Sequence, residues 1–140
     1  MSDTLSVLKT AIDMYLSQYA ATDKLWAYFS TVSLALVAYT ISSDKVTRVF
    51  PEAVAAIGAY LVFCAGNFVA LSAAQRELYT LAEIVKTHGK PHNLDAESFR
   101  VFTSAEVGTF YWAVVVIIVL TSLGLARSRE RRQAAAAKPV

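Results

Sequence analysis

The sequence predicts an all-α integral membrane protein with three transmembrane helices and a protruding antiparallel helical hairpin. Its apolar residues gather in three blocks, and none of these blocks contains Lys, Arg, Asp, Glu or His. Each block is close to the ~17–25 residues that cross the hydrocarbon core of a bilayer. Helical stripes of apolar residues continue outside two of the blocks. The hydrophobic fraction of 56% and the mean hydropathy of +0.45 are high for a soluble protein of 140 residues.

The whole chain, residues 1–140, is predicted to form a single membrane domain. An extramembrane amphipathic helix over residues 4–24 leads into span 1 at residues 25–42. Span 2 covers residues 51–74 and continues as a helical extension over residues 75–88. A connector over residues 89–105 precedes span 3 at residues 106–126, and a basic tail follows at residues 127–140. The N-terminus lacks the basic start and cleavage site of a signal peptide, so we expect the chain to insert through its own spans.

The hairpin is predicted from two apolar stripes that lie outside the spans. The residues of this extramembrane interaction stripe recur at steps of three and four: Leu5, Leu8, Ile12 and Tyr15 before span 1, and Leu78, Leu81 and Val85 after span 2. No Pro or Gly interrupts residues 4–42, which predicts one continuous helix. A second helix of nearly equal length is predicted over residues 51–88, because Gly89 and Pro91 stop it. Folding one helix back on the other would place the two stripes at the same level.

A capping box predicts the start of the third helix. Thr103 and Glu106 have the T-x-x-E spacing in which each side chain binds the backbone N–H of the other residue. The connector before them is expected to contain a short helix capped by Asn93 or Asp95. The last residues, 134–140, are expected to be frayed.

The distribution of basic residues predicts the orientation in the membrane. Seven of the 13 Lys and Arg residues lie in the short turn after span 1 or in the tail, where they are densest. This density favours a cytoplasmic C-terminus in a multi-pass protein of a bacterial-type inner or plasma membrane. The tail residues expected to contact lipid headgroups are Arg127, Arg129, Arg131 and Arg132. The aromatic residues at the start of spans 1 and 3 (Trp26, Tyr28, Phe29, Phe110, Tyr111 and Trp112) are interpreted as an interfacial belt, and the alternative is a binding groove lined by these rings.

The second span is predicted to be the centre of helix packing. Its predicted interface comprises Ala55, Ala59, Gly66, Asn67 and Ala70. Small residues mark where transmembrane helices approach closely, because lipid provides little hydrophobic drive between helices. The partner is either another span of this chain or a neighbouring subunit.

Asn67 needs a hydrogen-bond partner, because an unpaired amide in hydrocarbon costs several kcal/mol. The candidate partners are polar residues of the other two spans: Ser30, Thr31, Ser33, Thr121 and Ser122. One interpretation is that Asn67 fixes the register of the helices. The other is that it lines a pore or a ligand cavity.

Several functions are disfavoured by the residues that the spans lack. The apolar blocks 25–42, 53–74 and 107–126 contain no charged residue and no histidine, and Glu52 and Glu106 stand at span ends as helix caps, which argues against an energy-coupled transporter. His88 and His92 are separated by Gly89 and Pro91, which break the helix that would align them as metal ligands. No nucleophile elbow, phosphate loop or zinc motif is present, and no aromatic residues interleave the basic tail. We therefore expect no enzyme activity, no cofactor, no metal and no nucleic-acid partner.

Two functions remain after these exclusions. The first is a small non-catalytic membrane protein that acts as an interaction or accessory subunit, or as a scaffold, through its protruding helices and small-residue transmembrane face. Its partners would be the lipid bilayer and either further copies of itself or another membrane protein. The alternative is a homo-oligomeric pore or channel lined by Asn67 and by the Ser and Thr residues of the spans.

Overall fold

The secondary structure of the protein is helical. A computed structural model describes residues 2–42, 50–92, 99 and 101–136, and at residues 2–4, 50, 51, 92 and 132–136 it describes the backbone alone. Helix α1 covers Ser2–Ser42, helix α2 covers Phe50–Gly89, and helix α3 covers Ser104–Ala136. A short 3₁₀ helix, Lys90–His92, follows α2.

The predicted all-α class and the three apolar helices are confirmed. The segments Leu5–Ser42, Glu52–Gly89 and Ser104–Arg131 are each long and apolar enough to cross a membrane. A helix rises 1.5 Å per residue, so about 20 residues suffice for the crossing and each segment has residues to spare. The chain therefore has the helices of a multi-pass membrane protein.

The helix ends follow local sequence signals. The predicted capping box is confirmed: the Thr103 N–H donates to Oε2 of Glu106 at 2.9 Å, and the Glu106 N–H donates to Oγ1 of Thr103 at 3.3 Å. Residues 134–136, at the start of the segment expected to be frayed, are helical, and alanine has the highest helix propensity of all residues. The expected turn over residues 43–49 and the short helix capped by Asn93 or Asp95 lie outside the described residues.

Buried positions recur with a seven-residue repeat along each long helix. In α2 they fall at steps of three and four: Ala53, Ile57, Tyr60, Cys64, Asn67, Leu71, Ala74, Leu78, Ala82 and Val85. In α1 the series Leu8, Tyr15, Thr22, Phe29 and Leu36 has steps of seven. This is the spacing that keeps one face of a helix against a neighbour over many turns. We call these buried residues of α2 the seam.

The chain divides into two compact units. Unit 1 comprises Met1–Ala27 with Phe68–Thr109. Its buried core consists of Leu8, Ala11, Tyr15, Leu78, Ala82 and Val85, against which Ile12, Leu81, Phe99 and Val101 are packed. Two glutamines add polar contacts, since Nε2 of Gln75 donates to the Phe102 carbonyl at 2.8 Å and Nε2 of Gln18 donates to the Ala74 carbonyl at 3.4 Å. Unit 1 thus combines a small apolar core with two glutamine side chains that bond to carbonyls distant in the sequence.

Unit 2 comprises Tyr28–Asn67 with Phe110–Val140. Ala53 and Ala126 are buried together in it. Buried hydroxyls also pair inside it, with Oγ of Ser33 lying 2.8 Å from the hydroxyl of Tyr60. The core of unit 2 therefore includes polar groups that are satisfied by one another.

Candidate functional site: the faces of the second helix

Asn67 lies in the seam and is hydrogen-bonded within unit 2. Its side chain is 9% exposed, and Nδ2 donates to the hydroxyl of Tyr111 at 3.4 Å. That hydroxyl donates in turn to the carbonyl oxygen of Cys64 at 2.9 Å. The partner of Asn67 is thus the phenol of Tyr111, and the serines and threonines expected from the sequence are not its partners. The chain of two bonds ties one residue of α3 to two positions of α2.

Tyr111 is the centre of the buried part of unit 2. Its side chain is fully buried, and its ring centroid lies 4.4 Å from that of Phe29. The interpretation of these two rings as part of an interfacial belt is therefore wrong, because both are packed inside the protein. Tyr28 and Phe110 are exposed, at 60% and 62%. A phenol can pack its ring in the core and still satisfy an amide, which makes Tyr111 a suitable partner for Asn67.

The small residues of the predicted interface lie on a different face of α2 from the seam. Ala55, Ala59, Gly66 and Ala70 are exposed, whereas Asn67, the fifth member of the predicted set, is buried. A Cβ atom added at Gly66 would meet nothing within 4 Å. We call these four exposed residues the small-residue face. Among the described residues, the contacts within the chain use the seam and leave the small-residue face exposed.

The residues of the extramembrane interaction stripe lie in or near the core of unit 1. The buried members are Leu8, Tyr15, Leu78 and Val85; Ile12 and Leu81 are partly buried against them, and Leu5 is 49% exposed. The ring of Tyr15 packs edge-on against Phe99, with centroids 5.3 Å apart. Most of the stripe is therefore occupied by contacts within this chain. Apolar side chains beside it, such as Met14 and Leu16, are more than half exposed.

The four basic residues of the tail differ in their surroundings. Arg129 is half-buried, and its guanidinium donates to the carbonyls of Thr40 at 3.4 Å and Ile41 at 2.7 Å. These carbonyls belong to the last turn of α1, which contains no basic residue of its own. A cation at a helix C-terminus is favourable because the terminal carbonyls carry partial negative charge. Arg127 and Arg131 are exposed, and Arg132 is described by its backbone alone.

The described residues contain no group of three or more His, Cys, Asp or Glu side chains placed to hold a metal ion. Nδ1 of His88 lies 3.0 Å from the carbonyl of Ile84 one turn earlier, so this imidazole is engaged with its own helix. The side chain of His92 lies outside the described residues. The one cysteine, Cys64, is a free thiol that is completely buried.

One sequence signal for the seam was missed. Polar residues inside the apolar blocks lie seven residues apart, as Ser33 and Thr40 do in α1 and as Tyr60 and Asn67 do in α2. All four are buried. A seven-residue spacing of polar groups marks one face of a helix even where the apolar residues cover every face. This spacing identifies the buried side of spans 1 and 2.

Unit 2 therefore has hydrogen-bonded polar groups in its interior, and α2 has a second face of small residues that the described part of the chain leaves exposed. Comparison of the chain with protein-family models, with curated proteins and with solved structures finds no match.

Proposed function

We propose that the protein is a small, non-catalytic interaction subunit of a membrane assembly, and that it binds its partner through the small-residue face of α2. The observation that carries the proposal is that Ala55, Ala59, Gly66 and Ala70 stay exposed while the seam makes the contacts within the chain. The partner would be a helix at the same depth, supplied by a second copy or by another membrane protein.

The physical argument concerns how closely two helix backbones approach in lipid. Association there depends on van der Waals packing, so small side chains favour contact because they let a neighbouring backbone come near. The open space at Gly66 is large enough for a further Cβ atom. Leu61, on another exposed side of α2, has the larger side chain typical of contact with lipid tails, and Val62 is the one large side chain on the small-residue face.

We infer that α1 and α2 form an antiparallel hairpin. In unit 1, Gln18, from the later part of the α1 segment, contacts Ala74, from the earlier part of the α2 segment. In unit 2, Phe29 of α1 packs on Tyr111 of α3, and further along both helices Arg129 of α3 binds the Ile41 carbonyl of α1. Positions that advance together in this way are typical of parallel helices. Tyr111 of α3 binds the Cys64 carbonyl of α2, and the later residue Ala126 of α3 packs with the earlier residue Ala53 of α2. Positions that advance in opposite directions are typical of antiparallel helices. These contacts support the hairpin, with α2 antiparallel to both other helices.

The interface is tested with one substitution at two positions of the same span. Ala59→Leu adds a large side chain to the small-residue face, and Ala65→Leu adds it to a position about 120° away around α2. Both alanines are exposed, so neither change strains the core of the chain. We expect Ala59→Leu to shift the native mass of the gently extracted complex towards the lone chain, and Ala65→Leu to leave it unchanged. Gly66→Leu should behave as Ala59→Leu does.

An equal response of Ala59→Leu and Ala65→Leu would contradict the proposed interface. The wild-type mass also identifies the partner class. A complex built from this chain alone means that a second copy covers the small-residue face, whereas co-purification of another protein in fixed proportion means an accessory subunit.

The alternative function, a pore lined by Asn67, requires the amide to face a wetted surface. Asn67 instead donates to Tyr111 and is 9% exposed, which is typical of an amide that fixes helix register. Ser33 is likewise paired, with Tyr60. These contacts favour the interaction subunit, which we retain as the conclusion.

A further inference from the structure

Unit 1 has an open groove between its two helical segments. The groove has a volume of about 640 Å³, and its lining includes Met14, Ser17 and Gln18 of α1 with Arg76, Glu77 and Leu81 of α2. It therefore combines apolar side chains, neutral polar side chains and one charge of each sign. Such a mixed lining suits a ligand that is itself part apolar and part charged.

The groove lies at the end of the longest apolar run of the chain. No charged residue occurs between Glu52 and Arg76, so Arg76 is the first charge after span 2. It follows the last residue of the predicted span, Ala74, by two positions, which is about 3 Å along a helix. The polar layer on each side of the hydrocarbon is roughly 5–8 Å thick. The predicted end of span 2 therefore puts Arg76 and Glu77 at the depth of phospholipid headgroups.

The two charges of the groove have no side-chain partner in the described part of the chain. Among the described residues the structure records one ion pair, between Lys86 and Glu83, and it records no side-chain bond for Arg76 or Glu77. Both residues are exposed. Thr80 is already engaged, because its Oγ1 donates to the Arg76 carbonyl at 3.0 Å. The guanidinium and the carboxylate are therefore free to bind an external ligand.

We propose that this groove binds the headgroup of a zwitterionic phospholipid that carries a primary ammonium, as ethanolamine lipids do. The guanidinium of Arg76 binds the phosphodiester, since its planar donors match phosphate oxygens. The carboxylate of Glu77 accepts hydrogen bonds from the ammonium. Met14 and Leu81 lie farther from the predicted spans than Arg76 does, and they would contact the methylene groups of the ethanolamine. The site is separate from the small-residue face, so it does not depend on the proposed subunit interface.

The charges also predict which lipids are disfavoured. An anionic glycerol headgroup satisfies Arg76 but leaves Glu77 without a cation. A choline headgroup presents a cation, but its three methyl groups remove the N–H donors that Glu77 would accept. A charge-assisted hydrogen bond is about twice as strong as a neutral one, so we expect the ethanolamine lipid to bind about tenfold more tightly than the choline lipid.

The test is lipid binding to the purified full chain, titrated with ethanolamine, choline and glycerol phospholipids of the same acyl chains and followed by native mass spectrometry. We expect Glu77→Gln to bring the ethanolamine and choline lipids to equal affinity, and Arg76→Gln to weaken all three about tenfold. Lys9→Gln and Asp13→Asn remove exposed charges of unit 1 outside the groove and should leave the order of lipids unchanged.

Three results would overturn the proposal. One is tighter binding of the glycerol lipid than of the ethanolamine lipid, which would indicate a simple anion site. Another is an ethanolamine preference that survives Glu77→Gln. The third is a native mass that falls with Arg76→Gln, which would mean that a second copy occupies the groove. If Arg76→Gln does not fold, as judged by helical circular dichroism, two other single variants carry the test. Arg76→Lys should keep the lipid preference, and Glu77→Gln should lose it.

Discussion

At the scale of single residues, the bonds of Tyr111 give the polar interior of unit 2 its specificity. Its hydroxyl uses one proton and one lone pair, because it donates to the Cys64 carbonyl and accepts from Asn67. The need of Asn67 for a partner was predictable from its depth, but the identity of the partner was not. One reason is that the connector over residues 89–105 does not fix which turn of α3 lies beside which turn of α2. The other is that Tyr111 lies at the start of a span, where an aromatic residue is typical of the membrane interface.

These bonds predict an asymmetry between two conservative substitutions. Tyr111→Phe removes both hydrogen bonds and leaves the amide of Asn67 unpaired, so we expect a loss of about 1–2 kcal/mol in the free energy of unfolding. Asn67→Leu removes only the longer bond and should cost less. Reversible unfolding in mixed micelles measures both variants and the double variant. Additive effects of the two changes would show that Asn67 and Tyr111 do not interact.

Arg129 predicts a similar contrast in the basic tail. Arg129→Gln removes the cation from the last carbonyls of α1 and is expected to lower the free energy of unfolding by about 1–2 kcal/mol. Arg131→Gln changes an exposed residue of the same helix and should stay within about 0.5 kcal/mol of the wild type. The same unfolding assay compares the two. If both variants unfold like the wild type, the guanidinium of Arg129 contributes nothing to the end of α1.

At the scale of elements, the helix ends were the most predictable feature. Gly89 and Pro91 mark the end of α2, and Thr103 with Glu106 marks the start of α3, because each of these signals acts on the backbone nearby. The small-residue face was predictable as a pattern, but its exposure was not. In an apolar span every face is hydrophobic, so the sequence alone does not tell a face covered by the chain from a face left for lipid or a partner.

The core of unit 1 predicts a large effect of truncating a side chain in α2. Leu78 is 3% exposed within that core, so Leu78→Ala should lower the free energy of unfolding by about 2–5 kcal/mol. Leu16→Ala makes the same change at a side chain that is 56% exposed and should cost far less. Thermal unfolding monitored by circular dichroism compares the two variants. Similar melting temperatures for both would contradict the burial of Leu78.

At the scale of the whole molecule, the charge distribution predicts which side of the membrane each end occupies. Asp13→Cys and Glu130→Cys place a thiol at exposed positions of α1 and α3, while the native Cys64 is completely buried. With a C-terminus on the cytoplasmic side, an impermeant maleimide added to intact cells should label Asp13→Cys and spare Glu130→Cys. Labelling of both positions after permeabilisation is the control. The reverse pattern in intact cells would invert the orientation.

The two units differ in how much of the chain must be synthesised before their buried contacts can form. The buried core of unit 1 is complete once Val85 has been made, because its six members come from α1 and α2. The contacts of unit 2 also require Tyr111, which accepts a hydrogen bond from Asn67, and Arg129, which binds the last turn of α1. Since a chain is synthesised from its N-terminus, the polar interior of unit 2 is completed last. A chain that ends between residues 90 and 110 would thus lack the phenol that pairs with Asn67.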